Sequence, residues 1–173
     1  MAEERPEPWL RGTLTEVEPV RRAVLHALEL AEEDVLRWTR DLDDEMLEMK
    51  PLGLPSVAFQ MRHIARSIDR LLTYADGLRL SEAQIAALRS EHVAGRSVEE
   101  LRHQVVEAIR KVRPFAAQFS QEELNELRSV GGAGLPTTLV GLLIHIAEHT
   151  QRHVGQLITT AKVAAALKDA EGS

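Results

Sequence analysis

The chain has 173 residues, of which 21 are basic and 27 acidic, so its formal net charge is −6. This acidic balance argues against a general nucleic-acid-binding protein, which needs a basic face. The absence of cysteine excludes disulfides, thiolate metal sites and a catalytic thiol of the protein's own. This length predicts a single domain over residues 1–173, with one hydrophobic core.

The sequence shows no sign of a membrane span or a targeting segment. No apolar run reaches the roughly 20 residues that cross a bilayer. Residues 1–8 are acidic and contain proline, and they lack the basic and apolar regions of a signal peptide. We therefore expect a cytoplasmic protein that binds neither membranes nor nucleic acid.

Two amphipathic helices are predicted in the first half of the chain. Apolar residues recur every three or four positions over residues 17–42, which is the spacing of one helix face. A second stripe covers residues 57–75. Ser56 can cap the start of that helix, and Gly77 is typical of a position just after a helix end.

The second half predicts a long crossover and two further helices. The broken stretch 76–96 contains a short helix within residues 81–91, and a third long helix opens at Ser97. Its apolar stripe reaches position 119, with a kink or an early end expected at Pro114. The last helix follows a glycine-rich loop and covers about 137–167. No segment alternates in polarity, so we predict no strands and an all-α four-helix bundle with a long crossover after the second helix.

The inward face of the last helix is polar at its centre. Burying an unpartnered imidazole or amide costs about 1–3 kcal/mol, so these groups need partners. His149 and His153 are four residues apart, which places them one turn apart on the same side of the helix, where both can bind one cation. Hydrogen bonds to other helices are the alternative explanation. The expected inward positions are Leu142, Ile146, His149, His153, Gln156, Thr160, Val163 and Leu167.

A third metal ligand has to come from another helix, and His63 is the best candidate. It lies beside the apolar stripe of the second helix and is expected to face a neighbouring helix or a groove. A competing pattern is His145-Ile-Ala-Glu-His149, which reads as the H-x-x-E-H motif of inverted zinc proteases, with Glu148 as general base. His26 lies among charged residues of the first helix, and we expect it to face solvent.

Three stretches together resemble the DinB-like superfamily. They are His145-xxx-His149-xxx-His153 with the following Val-Gly-Gln-Leu, the segment Met61–Leu72, and the opening Pro8–Gly12. The resemblance implies a four-helix bundle with a long connection after the second helix. It also implies a divalent metal, commonly Zn or Ni, held by His63, His149 and His153, with water completing the coordination.

The resemblance further implies a candidate activity. Some members are S-transferases that use mycothiol, bacillithiol or glutathione, one branch isomerises maleylpyruvate, and homodimers are frequent. We therefore predict a metal-dependent enzyme with a small-molecule substrate, and thiol S-transfer is one candidate reaction. Because the chain has no cysteine, the thiol would come from a low-molecular-weight cofactor. Gln156 and His145 flank the histidine pair and are candidates for orienting a ligand or a water.

Two alternatives remain open at this point. One is a non-catalytic dimeric scaffold, in which a closed, four-ligand metal site has a structural role. The other is the zinc hydrolase that the H-x-x-E-H pattern predicts.

Overall fold

The computed structural model of the chain describes residues 5–171. Helices dominate, and the predicted all-α class is confirmed. Four long helices form the bundle, two short helices lie in the connections, and a small hairpin precedes the last helix. The elements are α1 (Pro19–Trp38), α2 (Asp44–Glu48), α3 (Val57–Ala75), α4 (Glu82–Arg89), α5 (Val98–Ala116), β1 (Leu127–Val130), β2 (Leu135–Thr138) and α6 (Leu139–Glu171).

Helix α3 is the element that the sequence predicted most closely. The Ser56 hydroxyl accepts a hydrogen bond from the backbone N–H of Phe59 at 3.1 Å, which caps the helix as expected. Every predicted stripe residue is buried, and Gly77 follows the helix end with a φ of +76°. The buried stripe residues are Val57, Met61, Ile64, Ile68, Leu71 and Ala75.

The crossover after α3 is also confirmed. It contains α4, whose start is closed by a capping box between Ser81 and Gln84. The same motif, between Ser97 and Glu100, opens α5. Helix α5 ends at Ala116, two residues after Pro114, so the early end allowed by the sequence is the observed outcome.

Helix α6 has 33 residues, which corresponds to about 50 Å, against about 30 Å for the other long helices. It packs against both α1 and α3. The centre of its buried face therefore lies between these two neighbours, along Leu143, Ala147, Val154 and Leu157. Of the predicted inward positions, Leu142, Ile146 and Thr160 are buried, whereas Gln156 and Leu167 are exposed instead of inward-facing.

The prediction of no strands was wrong. Strands β1 and β2 pair antiparallel, with Val130 opposite Leu135. The turn between them uses Gly131 and Gly134, both with positive φ. Strands of four residues are too short to show a clear alternation in the sequence.

The expectation that His26 faces solvent was also wrong. Its side chain lies under the N-terminal segment, with Nε2 3.2 Å from the hydroxyl of Thr13, and the residue is 8% exposed. Nothing in the local charge pattern of α1 indicated that a distant segment would cover it. Within residues 5–171, none of the helices combines the length and apolar character that a membrane span requires.

Candidate metal centre

Three histidines converge between α3 and α6. His63 comes from α3, and His149 and His153 come from successive turns of α6. One ring nitrogen of each lies within 4.8 Å of those of the other two, and this is the one such group of three among the described residues. The Nε2 atoms of His63 and His149 are 3.0 Å apart. The structure thus brings together all three residues that the sequence singled out as metal ligands.

Two acceptors orient these rings. The Nδ1–H of His63 donates to the carboxylate of Glu91 at 2.8 Å, and the Nδ1–H of His153 donates to the side-chain oxygen of Gln60 at 2.7 Å. Because a carboxylate and an amide oxygen only accept hydrogen bonds, each Nδ1 carries the proton. In the neutral form of each ring, the lone pair is therefore on Nε2.

The α6 pair is held in the uncharged form. Burial, followed by the nearby His153 and His63, lowers the pKa of His149 to about 4. Burial, followed by His63 and Arg152, lowers the pKa of His153 to about 4. Neutral imidazole is the form that binds a metal, so the two rings of α6 can act as ligands at neutral pH.

The donor set fits a divalent transition metal. Zinc–imidazole bonds of about 2.0–2.1 Å in tetrahedral geometry place neighbouring ligand nitrogens about 3.3 Å apart, and the nearest pair here is at 3.0 Å. Two nitrogen lone pairs at this distance repel unless a proton or a cation lies between them. Three imidazoles are a ligand set typical of open zinc sites, and nitrogen ligands also suit nickel.

A buried ionic network supports the α3 side of this cluster, and the sequence did not predict it. Glu91, at the end of the crossover helix, bonds His63 through one carboxylate oxygen and Arg70 through the other, at 2.7 Å. The Nε–H of Arg62 donates to the backbone oxygen of Glu91, and the rest of its guanidinium bonds Glu48. Burial opposes ionisation of Glu91, but hydrogen bonds from His63 and Arg70 outweigh it and hold its pKa below the usual value.

The remaining candidates lie at the edge of the cluster. His145 is half-exposed, and its Nδ1 lies 2.7 Å from Glu148 on the same helix. This contact leaves it outside the group of three. Gln156 is exposed and lines the cavity beside this side of the site.

A surface cavity of about 400 Å³ adjoins this side of the site. Leu54 and Pro55 form one wall, and Arg152, Gly155 and Gln156 of α6 form the other. Gln60 lines this cavity and also bonds His153. Its side-chain nitrogen is buried without a hydrogen-bond partner. A Cβ built on Gly155 would meet no atom within 4 Å, so the wall is open there.

The fold and the cluster define a helical-bundle protein with three histidines placed so that they could hold a metal ion. The DinB superfamily model matches residues 17–157. This match covers most of the chain, so the protein belongs to the DinB superfamily.

Solved structures show the same fold at low sequence identity. A conserved protein from Enterococcus faecalis superposes with a TM-score of 0.70 at 16% identity, covering 87% of this chain and 99% of that one. A DinB-like protein from Bacillus cereus gives 0.60 at 17% identity, with 82% and 91% covered. No curated protein matches this chain significantly.

Proposed function

We propose that this protein binds one divalent metal ion, zinc or nickel, through His63, His149 and His153, and that it is a metal-dependent enzyme acting on a small molecule. The observation that carries the proposal is the convergence of three imidazoles, two of them oriented by hydrogen bonds from Nδ1. Three protein ligands leave a tetrahedral cation at least one position for a water or a substrate.

When bound, such an ion supplies a Lewis acid that lowers the pKa of a bound water or thiol toward neutrality. The chain's own groups position and select what reaches it. Gln60 holds His153 on one side and borders the cavity on the other. The Arg152 guanidinium at the cavity rim suits a ligand with an anionic or acceptor group.

Thiol S-transfer is the reaction that we favour for this site. The chain contains no cysteine, so the thiol would enter as a small cofactor and the electrophile as a second small molecule. A cavity of about 400 Å³ falls within the usual size range of small-molecule sites. Its mixed polar and apolar lining can accept the body of such a molecule.

The alternative proposal is a dimeric scaffold with a structural metal. A second, apolar groove of about 510 Å³ between α1 and α6 favours it, because Val20 and Ile144 leave apolar surface exposed there. The coordination shell separates the two proposals. A fourth protein ligand argues for a structural site, whereas an exchangeable water argues for chemistry.

The decisive experiment measures metal content and stoichiometry. Protein purified without a histidine tag or chelator is analysed for metals, and the metal-free form is titrated with zinc by calorimetry. We expect one ion per chain. A wild-type protein that retains no metal and shows no zinc binding would overturn the proposal.

His145→Ala is the matched control for the choice of ligands. Its ring lies one turn from His149 but bonds Glu148, so we expect this variant to bind zinc as the wild type does, and His153→Ala to bind zinc much more weakly. The reverse result would favour the H-x-x-E-H hydrolase. Activity is then assayed with the zinc-loaded protein, several low-molecular-weight thiols and an electrophile.

A further inference from the structure

Glu91 is a buried carboxylate supplied to the candidate metal centre by the crossover segment. Its side chain is only 5% exposed, although it follows the last turn of α4, a helix with no buried residue of its own. A buried carboxylate is costly unless its charge is compensated. The groups that bond the carboxylate of Glu91 therefore indicate why this residue is buried.

The two carboxylate oxygens of Glu91 have different partners. Oε1 accepts from Arg70 at 2.7 Å, and Oε2 lies 2.8 Å from Nδ1 of His63. Arg70 alone could compensate the charge, and its fork could bind both oxygens. The second oxygen instead bonds a ring whose other nitrogen lies in the three-histidine group.

We propose that Glu91 is the positioning residue of the metal centre and that it couples metal binding to docking of the crossover on α3. This inference rests on the proposed function. The hydrogen bond fixes the proton of His63 on Nδ1, directs Nε2 toward the cation and makes the imidazole a stronger ligand. Carboxylate–histidine–metal arrangements act in this way generally.

The same segment is attached to α3 by further contacts on both sides of Glu91. The guanidinium of Arg66 donates to the backbone oxygen of Ala87 at 2.7 Å. The ring of His92 stacks on Phe59 with centroids 4.7 Å apart, and Phe59 stacks on His63 at 5.7 Å. His63 therefore contacts the crossover directly through Glu91 and indirectly through Phe59.

Linkage makes the coupling reciprocal. If docking of the crossover strengthens metal binding through Glu91, then bound metal must stabilise the docked crossover by the same free energy. Zinc is therefore expected to slow backbone hydrogen exchange in residues 82–93 beyond any slowing in α1.

The first test compares zinc affinity in Glu91→Gln and in the wild type, by competition with a chromophoric chelator. We expect a loss of about 10–100-fold, the range found when an outer partner of a metal-binding histidine is removed. Glu32→Gln is the matched control. Glu32 also accepts from an arginine, Arg110, at 2.9 Å, but this pair joins α1 to α5, away from the crossover and the histidines, so zinc affinity should stay unchanged.

The second test does not depend on a variant that folds. Long-range ¹H–¹⁵N NMR spectra of the zinc-loaded wild type should show His63 protonated at Nδ1 and metal-bound at Nε2, with a strongly downfield Nδ1–H proton. Hydrogen exchange of residues 82–93 is measured with and without zinc on the same sample. If Glu91 had only a structural role, the Nδ1–H proton of His63 would not be shifted strongly downfield, and zinc would not slow hydrogen exchange in the crossover.

The outcomes separate this inference from the proposed function. If the wild type binds no zinc, both fail. If the wild type binds zinc but Glu91→Gln binds it equally tightly, or His63 is bound through Nδ1, only the role of Glu91 is overturned. Equal hydrogen exchange of residues 82–93 with and without zinc overturns the coupling.

Discussion

The two sides of α6 differ sharply in chemistry. The side facing α3 carries His149 and His153, and it meets His63 and the polar Gln60. The side facing α1 is mostly apolar, with Ala147 packed in the core and Ile144 bordering a groove of aliphatic side chains. Its polar exception is Gln151, whose side-chain N–H donates to the backbone oxygen of Ala27. One helix thus presents two different surfaces over the same turns.

The comparison shows where α6 carries polar side chains at positions that apolar ones could fill. Apolar residues like those facing α1 would also stabilise the bundle if they faced α3, at about 25 cal/mol per Å² buried. Histidine and glutamine there need partners to offset their desolvation. The residues that provide these hydrogen-bond partners belong to the candidate site. Four predictions test the difference between the α3-facing and α1-facing sides of α6.

The largest effect is expected for His153→Ala on the α3 side. Zinc binding in small protein sites is worth about 10–16 kcal/mol, so losing one of three protein ligands should remove about 3–5 kcal/mol of it. Calorimetric titration measures this, and the thermal stabilisation by zinc should shrink by a corresponding amount. A variant that still binds zinc with wild-type affinity would exclude His153 as a ligand.

Leu28→Ala on the α1 side is expected to lower folding stability and not zinc affinity, by a similar amount of free energy. Leu28 is 1% exposed within the shared core, and such truncations cost about 2–5 kcal/mol of folding stability. Urea denaturation of the metal-free protein should show it, while zinc affinity under native conditions stays unchanged. A large change in zinc affinity would show that the two sides are not independent.

The pH dependence of folding stability should also come from the histidine side. The folded protein keeps His149 and His153 neutral down to about pH 4, whereas unfolded histidines take up protons near pH 6.5. The unfolded state therefore binds more protons in this window, and stability falls as pH is lowered from about 6.5 to about 4.

Urea midpoints of the chelator-treated protein across this range provide the measurement. The double variant His149→Gln with His153→Gln should show a flatter profile. A wild-type midpoint that does not change between these pH values would contradict the lowered pKa values of the two rings.

The smallest effect is expected for Ile144→Ser in the apolar groove. Ile144 is 46% exposed, and substitutions at such positions usually change stability by no more than about 0.5 kcal/mol. Zinc affinity should also be unchanged. Light scattering on the same samples tests the scaffold alternative, because a dimer that uses this groove would dissociate more readily in the variant.

The sequence predicted the parts of the molecule that depend on local pattern. The stripe and Ser56 cap of α3 follow from spacing and capping chemistry alone. The choice of His63 needed more, because its position beside the stripe only suggested a groove. Its helix position made it the best candidate for a third ligand, the family resemblance implied the same residue, and the structure places it with the α6 pair.

The parts that were missed depend on contacts between distant segments. Glu91 lies 28 positions from His63 in the chain, and no periodicity links a crossover residue to a helix face. His26 is buried by the segment around Thr13 for the same reason. The exposed position of Gln156 reflects how α6 divides its surface between two neighbours, which a single stripe cannot show.

Gly155 has a consequence for engineering the protein. A glycine inside a helix lowers stability by about 0.5–1 kcal/mol relative to alanine, and here the added methyl group would meet no obstacle. Gly155→Ala should therefore raise the free energy of unfolding. Gly155→Leu should fill part of the cavity that Gly155 lines, without replacing any of the three histidines. The two variants would change this cavity while leaving the three histidines unchanged.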